Sequence, residues 1–166
     1  MKNVILIGMM GCGKTTCGRL LSKTLGMPLV DTDELIQQRE GCTVSEIFQR
    51  KGEAYFRALE TEIARELGAG SGRIIATGGG MPLRAENRAA LRQNGVVFFL
   101  NRAPEEIYDS TNLADRPLAQ QGRADFIRRF QDREPVYREA AHYVISGAVT
   151  PPQAVEQILA DLKGAE

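Results

Sequence analysis

The feature that most constrains this chain is a glycine-rich motif near its start. Residues 8–15 read Gly-Met-Met-Gly-Cys-Gly-Lys-Thr and match the pattern G-x-x-x-x-G-K-[ST]. The apolar run Val4–Ile7 precedes the motif, and apolar residues at helical spacing follow from Lys14. A buried parallel strand, a tight turn and a helix are therefore predicted in that order.

Four further apolar runs, separated by helical patterns, extend this arrangement into an α/β fold. We expect a three-layer sandwich in which a five-stranded parallel sheet carries helices on both faces. The alternation leaves the strand order open, and it predicts a single domain over residues 1–166. The predicted later strands are 29–31, 73–76, 96–100 and 142–145, and the later helices are 33–40, 44–67, 84–93, one from Pro104, 123–139 and 152–163. Residues 109–122 show little periodicity and predict a mobile lid.

Composition limits the partners that such a chain can have. Lys+Arg and Asp+Glu are balanced at 21 each, so the basic excess of a nucleic-acid-binding protein is missing. No stretch approaches the roughly 20 apolar residues of a membrane span. Three cysteines without metal-ligand spacing are typical of free thiols in a reducing compartment. We therefore expect a cytoplasmic monomer with neither nucleic acid nor membrane as a partner.

The motif predicts a triphosphate site. Glycines allow successive backbone N–H groups to face a phosphate, and the positive end of the following helix dipole faces the same anion. Lys14 is expected to reach the β- and γ-phosphate oxygens, and the Thr15 hydroxyl to bind Mg²⁺. A glycine turn that matches by chance is the alternative. The predicted nucleotide-binding residues are Gly11, Cys12 (through its backbone N–H), Gly13, Lys14, Thr15 and Thr16.

Two carboxylates stand at the carboxyl end of the second predicted strand, where ligands of open α/β sheets bind. Asp31 and Asp33 flank Thr32, and in an extended segment both would lie on the same side. One could hold Mg²⁺ through water and the other could accept a proton from a substrate hydroxyl. The alternative is a polar strand exit in which Asp33 caps the next helix.

Arginines supply the candidate anion-binding groups. Arg57 could pair with Glu53 or Glu60 on its own helix, or it could bind a substrate carboxylate with both nitrogens. Arg133 has Arg129 one helical turn before it, and two like charges at this spacing favour a contact with an anion.

Three other positions carry less information on their own. Arg116 lies in the predicted lid, where it could contact a transferring phosphoryl group or remain solvated. The glycines 78–80 end the third strand and permit either a close approach to a ligand or a flexible loop. His142, the single histidine, starts a strand and is expected to be non-catalytic.

Taken in order, these segments resemble the shikimate kinase family within the P-loop kinase fold. The resemblance covers Val4 to about Tyr143, and no part after the glycine-rich motif is specific alone. Its parts are the motif with Gly18-Arg19, then Asp31-Thr32-Asp33, Ile47-Phe48, Gly52-Glu53, Phe56-Arg57, Glu60, Ala76-Thr77-Gly78-Gly79-Gly80, Arg116-Pro117-Leu118, and Arg133 with Tyr137-Arg138-Glu139.

The resemblance implies the strand order 2-3-1-4-5, an activity and a role for each matched residue. MgATP would phosphorylate shikimate, with Lys14, Asp33 and Arg116 as catalytic residues. Asp31 would support Mg²⁺ through water beside Thr15. Helices within residues 33–60 would hold the substrate, and the implied shikimate-binding residues are Asp33, Arg57, Gly79, Gly80 and Arg133.

The chain departs from the family pattern before the predicted lid arginine. Family members often carry an Arg-Thr pair there, and its arginine stacks on adenine, but residues 108–111 read Tyr-Asp-Ser-Thr. Adenine would then need another contact, which we expect near residues 148–151.

Other nucleotide-dependent functions remain as alternatives. The nearest are other small-molecule kinases, such as gluconate or nucleotide kinases. A GTP-dependent switch would need Asn-Lys-x-Asp, and the sequence has no Asn-Lys pair. An ATPase motor would need a strand that ends in Asp-Glu, whereas Ile74–Ala76 continues into Thr-Gly. A regulator that binds nucleotide without turnover is the last alternative.

Overall fold

A five-stranded parallel sheet forms the centre of the structure, a computed structural model that describes residues 1–110, 122–147 and 150–165. The strands are β1 (Asn3–Ile7), β2 (Leu29–Asp31), β3 (Ile74–Ala76), β4 (Gly95–Asn101) and β5 (Tyr143–Ser146). Their spatial order is β2-β3-β1-β4-β5, and every pairing is parallel. The predicted parallel sheet and the strand order implied by the resemblance are confirmed.

Helices connect the strands and complete a three-layer α/β architecture. The helices are α1 (Lys14–Leu25), α2 (Thr32–Glu40), α3 (Val44–Lys51), α4 (Glu53–Ala69), α5 (Ala85–Gln93), α6 (Pro104–Ser110), α7 (Arg123–Ala140) and α8 (Pro151–Gly164). A short 3₁₀ turn covers Met81–Leu83. Within the described ranges, no helix combines the length and apolarity needed to cross a membrane.

Strand β1 lies in the middle of the sheet because its side chains can all be buried. Its five residues are inaccessible to solvent, which explains the continuous apolar run in the sequence. The neighbouring strand β4 is also largely buried, and Phe98 and Phe99 pack into the core. Burial on both faces fixes the centre of the sheet, and the carboxyl ends of β1 and β3 meet at one edge.

The structure modifies two predicted boundaries. The helical stretch 44–67 is two helices that separate at Gly52, whose N–H donates to the carbonyl oxygens of both Ile47 and Phe48. The predicted lid 109–122 begins too early, whereas its end agrees with the start of α7. Asp109 and Ser110 belong to the last turn of α6, and Gly122 is the residue before α7. Residues 111–121 lie outside the described part of the chain.

His142 forms two hydrogen bonds to β4 just before β5 begins. Its backbone N–H donates to the Val97 carbonyl oxygen at 2.8 Å, and its ring Nδ1 accepts from the Val97 N–H at 2.9 Å. Burial lowers the pKa of His142 below its ordinary value of 6.5, and nearby Arg92 and Lys2 act in the same direction. The ring must be neutral at Nδ1 to accept this hydrogen bond.

The stability of the sheet should therefore depend on the protonation of His142. Because the folded-state pKa is lowered, the unfolded chain binds the proton more readily. The contribution of His142 is fully present above pH 6.5 and is lost as the pH falls through the lower folded-state pKa. In the variant His142→Asn, the side-chain oxygen can accept from Val97 N–H without titrating. We expect the variant to lose less stability between pH 7.5 and pH 5 than the wild type loses, by a margin below about 1 kcal/mol because the His142 side chain is exposed and its charge is screened. Urea unfolding at pH 7.5, 6 and 5 measures this difference, and parallel pH dependences for the two proteins would contradict the assignment.

Candidate active site

The glycine-rich loop lies between β1 and α1 and forms an anion-binding turn. Gly13, the residue before α1, adopts a φ of 101°, and no side chain caps the helix there. The first backbone N–H groups of α1 are thus left for an external acceptor. Gly8 is required for packing, since a Cβ there would lie 2.9 Å from the Leu100 carbonyl oxygen. The turn has the geometry that a polyphosphate needs.

Lys14 is held above this loop. Its ammonium group donates to the carbonyl oxygens of Gly8 at 2.6 Å and Met9 at 2.8 Å. The residue is almost fully buried, so its charge acts in a region of low dielectric. An ammonium group next to unpaired helix N–H groups can stabilise several negative charges on a triphosphate.

Thr15 and Asp31 offer oxygen ligands for a divalent cation. The Thr15 hydroxyl donates to Asp31 Oδ2 at 2.9 Å, and Asp31 Oδ1 accepts from the Glu34 N–H at 3.1 Å. Asp31 is therefore the residue that caps α2, and the alternative in which Asp33 caps this helix is wrong because the helix begins at Thr32. A hydroxyl and one carboxylate fit Mg²⁺, which keeps several waters and takes phosphate oxygens as its other ligands. Among the described residues, no cluster of three or more His, Cys, Asp or Glu offers a protein-only metal cage.

The glycine-rich loop between β1 and α1 is called the phosphate loop from here on. A cavity of about 750 Å³ opens beside it. It joins the loop to the carboxyl ends of β2 and β3, and to one face of α3 and α4. Its lining combines charged groups with an apolar wall that includes Phe48 and Phe56. The predicted site residues that line it are Gly11, Gly13, Lys14, Thr15, Thr16, Asp31, Asp33, Arg57, Gly79, Gly80 and Arg133.

The glycine turn after β3 is packed against three charged side chains. A Cβ at Gly78 would lie 2.5 Å from Asp33 Oδ1, and a Cβ at Gly80 would overlap the Arg57 guanidinium. A Cβ at Gly79 would lie 3.3 Å from Arg133 Nη1. The turn is therefore a close-packed wall of the cavity and not a flexible loop.

A buried hydrogen bond fixes this turn to the end of β2. The Gly78 N–H donates to Thr32 Oγ1 at 2.9 Å, and Thr32 is fully buried. Because Asp33 follows Thr32 in the first turn of α2, the same bond fixes Asp33 relative to the glycines. Asp31 and Asp33 both line the cavity, but a helix turn and not an extended segment brings Asp33 there.

Arg57 adopts one of the two arrangements that the sequence left open, the ion pair on its own helix, and its contact with a substrate carboxylate stays a prediction. It pairs with Glu60 at 2.7 Å and with Glu53 at 3.2 Å, and it also lines the cavity. Glu60 is 1% exposed, and burial raises its pKa, an effect that Arg57 partly offsets. The pairing keeps the guanidinium in position while leaving one side of it open to the cavity.

Arg133 reaches the same wall from α7. It is only 7% exposed, and its buried Nη1 has no hydrogen-bond partner among the residues described. One turn later, the Tyr137 hydroxyl donates to the Gly79 carbonyl oxygen at 2.6 Å. Burial raises the pKa of Tyr137 to about 12, and the nearby Arg133 acts in the opposite direction. A buried cation with an unused donor is suited to hold an anionic group of a ligand.

Cys12 is the one predicted site residue in the described part of the chain that does not line this cavity. The Cys12 side chain lines a second, smaller cavity behind the loop, and its backbone N–H donates to the Met9 carbonyl oxygen at 3.2 Å. Arg116 lies outside the described residues. Sequence reasoning missed the positioning roles of Thr32 and Tyr137, although the spacing of Tyr137 four residues after Arg133 already placed both on one helix face.

The fold and the site together define a P-loop kinase that acts on a small molecule. The anion-binding loop follows a central strand of a parallel sheet, and an acid, a buried arginine and a partly buried arginine line the cavity beside it. A cavity of this kind accommodates a small ligand.

Comparisons with known proteins give the family. The family model described as shikimate kinase matches residues 10–163. A shikimate kinase of Paracidovorax citrulli is 46% identical over 153 residues, which cover 87% of this chain and 81% of the relative. The structure of the Acinetobacter baumannii shikimate kinase in complex with shikimate superposes with a TM-score of 0.93 and 35% identity, and covers 100% of this chain and 95% of that one. The chain belongs to the shikimate kinase family.

A gluconokinase from Sinorhizobium meliloti shares the fold alone. It superposes with a TM-score of 0.58 at 14% identity, over 99% of this chain and 93% of that one. The similarity reflects the common architecture of P-loop kinases and carries no argument about the acceptor.

The packing of Gly80 against Arg57 predicts a local effect of Gly80→Ala. The backbone of Gly80 has φ −91° and ψ −9°, which alanine adopts without strain, so the new methyl group acts through its contact with the guanidinium. We expect Arg57 to be displaced and the free energy of unfolding to fall by about 1–3 kcal/mol, because the added methyl group overpacks a buried position and disturbs the pair with Glu60. The NMR signal of the Arg57 Nε–H group and urea unfolding measure the two effects. Gly164→Ala is the control, because a Cβ there meets open space. An unmoved Arg57 signal in Gly80→Ala would contradict the proposed packing.

Proposed function

We propose that this chain transfers the γ-phosphoryl group of ATP, with Mg²⁺, to the 3-hydroxyl of shikimate. The observation that carries the proposal is the convergence of Asp33, Arg57 and Arg133 on the glycine turn, in the same cavity as the phosphate loop. An acid beside two arginines suits a ligand that carries both hydroxyl groups and a carboxylate. Membership of the shikimate kinase family supports the same acceptor.

The carboxylate of the acceptor would be held by the two arginines. Arg133 is almost fully buried and has an unused donor nitrogen, and Arg57 is oriented by Glu53 and Glu60. Guanidinium groups bind a carboxylate with two parallel hydrogen bonds, and this fixes the direction of the ring. The main chain of Gly79 and Gly80 would approach the ring closely, since neither residue carries a Cβ.

Asp33 would orient the hydroxyl that attacks and accept its proton as the new O–P bond forms. It stands between the glycine turn and the phosphate loop, so a hydroxyl held there points toward the γ-phosphoryl group. The transition state of phosphoryl transfer is loose, and positioning therefore contributes most of the rate. A carboxylate at the acceptor hydroxyl supplies that positioning.

Charge on the phosphoryl group would be balanced by groups of the loop. Lys14 and the N–H groups at the start of α1 bind the phosphate oxygens, and Thr15 and Asp31 hold the metal site, Asp31 through water. Mg²⁺, when held by Thr15 and Asp31, would supply positive charge that offsets the negative charge of the phosphoryl groups. Arg116, which the resemblance assigns to the predicted lid, would add positive charge to the γ-phosphoryl group.

The proposal also covers the location of the protein, its oligomeric state and its pathway. We assign a cytoplasmic monomer, organised as one kinase domain, that acts in the biosynthesis of aromatic amino acids. The balanced charge of 21 basic and 21 acidic residues supports a small-molecule acceptor over nucleic acid.

A coupled assay of ADP release tests the acceptor. With MgATP, we expect release that depends on shikimate and that stays at background with gluconate, with AMP or without an acceptor. The reason is that AMP carries no carboxylate for the two arginines, and gluconate has no ring to hold a hydroxyl at Asp33 while its carboxylate is bound. Release driven by another acceptor would preserve the phosphate loop and overturn shikimate. Release driven by water would point to an ATPase.

The variant Arg133→Ala tests how the carboxylate is held. Removing a charged hydrogen bond should raise the KM for shikimate about ten- to hundredfold and change the KM for ATP little. Arg128→Ala is the matched control, because Arg128 lies on the same helix, is exposed and pairs with Asp125 at 3.2 Å. Steady-state kinetics with each substrate varied measures both constants. An unchanged KM for shikimate in Arg133→Ala would contradict the assignment.

A further inference from the structure

The large cavity lined by Asp33, Arg57 and Arg133 is called the acceptor cavity here. A second, smaller cavity adjoins the phosphate loop on the other side. Its volume is about 50 Å³, which holds one or two waters, so a larger group could only lie across its mouth. The phosphate loop contributes Cys12 and Gly13 to its lining. The other contributions come from the chain just after β4 and from the start of α8, and they include Asn101, Arg102, Thr150 and Pro151.

The strand order places this cavity where the nucleoside part of a nucleotide must lie. The acceptor cavity lies at the ends of β2 and β3, and the phosphate loop follows β1 at the centre of the sheet. A triphosphate whose γ-phosphoryl group faces the acceptor extends in the opposite direction. That direction leads to β4 and β5, where residues 101–102 and 150–151 leave the edge of the sheet.

Arg102 brings a charged side chain to the lining of this cavity. Its side chain is 25% exposed, and Nη2 pairs with Glu106 at 2.9 Å. The Nε atom is buried and lacks a hydrogen-bond partner within the described part of the chain. The ion pair orients the guanidinium plane of a residue that lines the cavity. Guanidinium planes stack on nucleobases and donate hydrogen bonds to them.

We propose that Arg102 contacts the base of the nucleotide at the mouth of this cavity. The inference rests on the proposed use of ATP, and it adds a residue to the nucleotide site that the glycine-rich motif does not include. It also accounts for the absence of an arginine in residues 108–111, since the planar cation comes from the end of β4.

Arg123 is the competing source of a planar cation. It pairs with Asp109 through two hydrogen bonds, of 3.0 and 3.1 Å, and both side chains are about half exposed. Neither residue lines the small cavity. The two groups satisfy one another on the surface, so we assign the base contact to Arg102 and use Arg123 as a comparison.

Displacement of a fluorescent ADP analogue, in Mg²⁺ and without an acceptor, tests the proposal. Two competing ligands are used, ADP and inorganic tripolyphosphate, because only ADP carries a base. Arg102→Ala should weaken ADP about five- to thirtyfold, the range expected for a stacked cation, and change tripolyphosphate less than about twofold. Arg102→Lys should lose most of the same affinity, because an ammonium group keeps the charge without the plane.

Two control variants separate a direct contact from indirect effects. Glu106→Gln removes the ion pair but keeps Arg102, and it should weaken ADP less than about threefold. Arg123→Ala should leave both ligands unchanged within about twofold. Thermal unfolding of each variant verifies that the fold is kept, and Arg102→Lys provides the test if Arg102→Ala does not fold.

The outcomes distinguish this inference from the proposed function. Unchanged ADP binding in the Arg102 variants, or an equal loss of ADP and tripolyphosphate, would overturn the role of Arg102. A loss of ADP binding in Arg123→Ala alone would move the role to Arg123. If wild-type protein bound no ADP, both proposals would fail. If ADP binding depended on Arg102 but turnover did not depend on shikimate, the acceptor assignment alone would fail.

Discussion

The hydrogen bond from the Gly78 N–H to Thr32 Oγ1 joins the carboxyl ends of β2 and β3, and the acceptor side of the cavity is arranged around it. A buried hydroxyl that accepts from a buried amide leaves neither group unsatisfied, so the two chain segments keep one relative position. Asp33 lies one residue beyond the bond on one strand exit, and the remaining glycines lie beyond it on the other. Arg57 and Arg133 then pack against those glycines from α4 and α7. Four sequence-distant segments are thereby brought to one wall.

The order of the strands places the different parts of the site in sequence along one edge of the sheet. The phosphate loop follows β1 at the centre, the acceptor wall follows β2 and β3, and the chain after β4 and before α8 lies on the other side. A linear arrangement of acceptor, phosphates and base therefore needs no large rearrangement of the strands. The central strand is also the most completely buried, so the most rigid part of the fold holds the phosphates.

Much of the fold and part of the site follow from the sequence. Features set by neighbouring residues could be predicted, and features set by contacts between distant residues could not. The phosphate loop was predictable because strand, turn and helix are contiguous and each has its own local signal. The position of Thr32 was not, because its partner is 46 residues away, and the Tyr137–Gly79 bond spans 58 residues. The cap of α2 fell on Asp31 and not on Asp33, since helix boundaries depend on side-chain bonds that sequence patterns locate only within a few residues. For Arg57, the expected ion pairs with Glu53 and Glu60 occur, and they are compatible with the predicted ligand contact because one guanidinium has enough donors for two carboxylates and a ligand.

The glycine turn after β3 also bears on how this cavity could respond to an inhibitor. At this turn, the surface of the cavity consists of main-chain atoms, which point mutations cannot remove. A side chain added at residues 78–80 would meet Asp33, Arg133 or Arg57, the groups proposed to hold the natural substrate. A compound that gains its affinity from the backbone of this turn would therefore leave few routes to resistance, because the substitutions that exclude the compound would also weaken substrate binding.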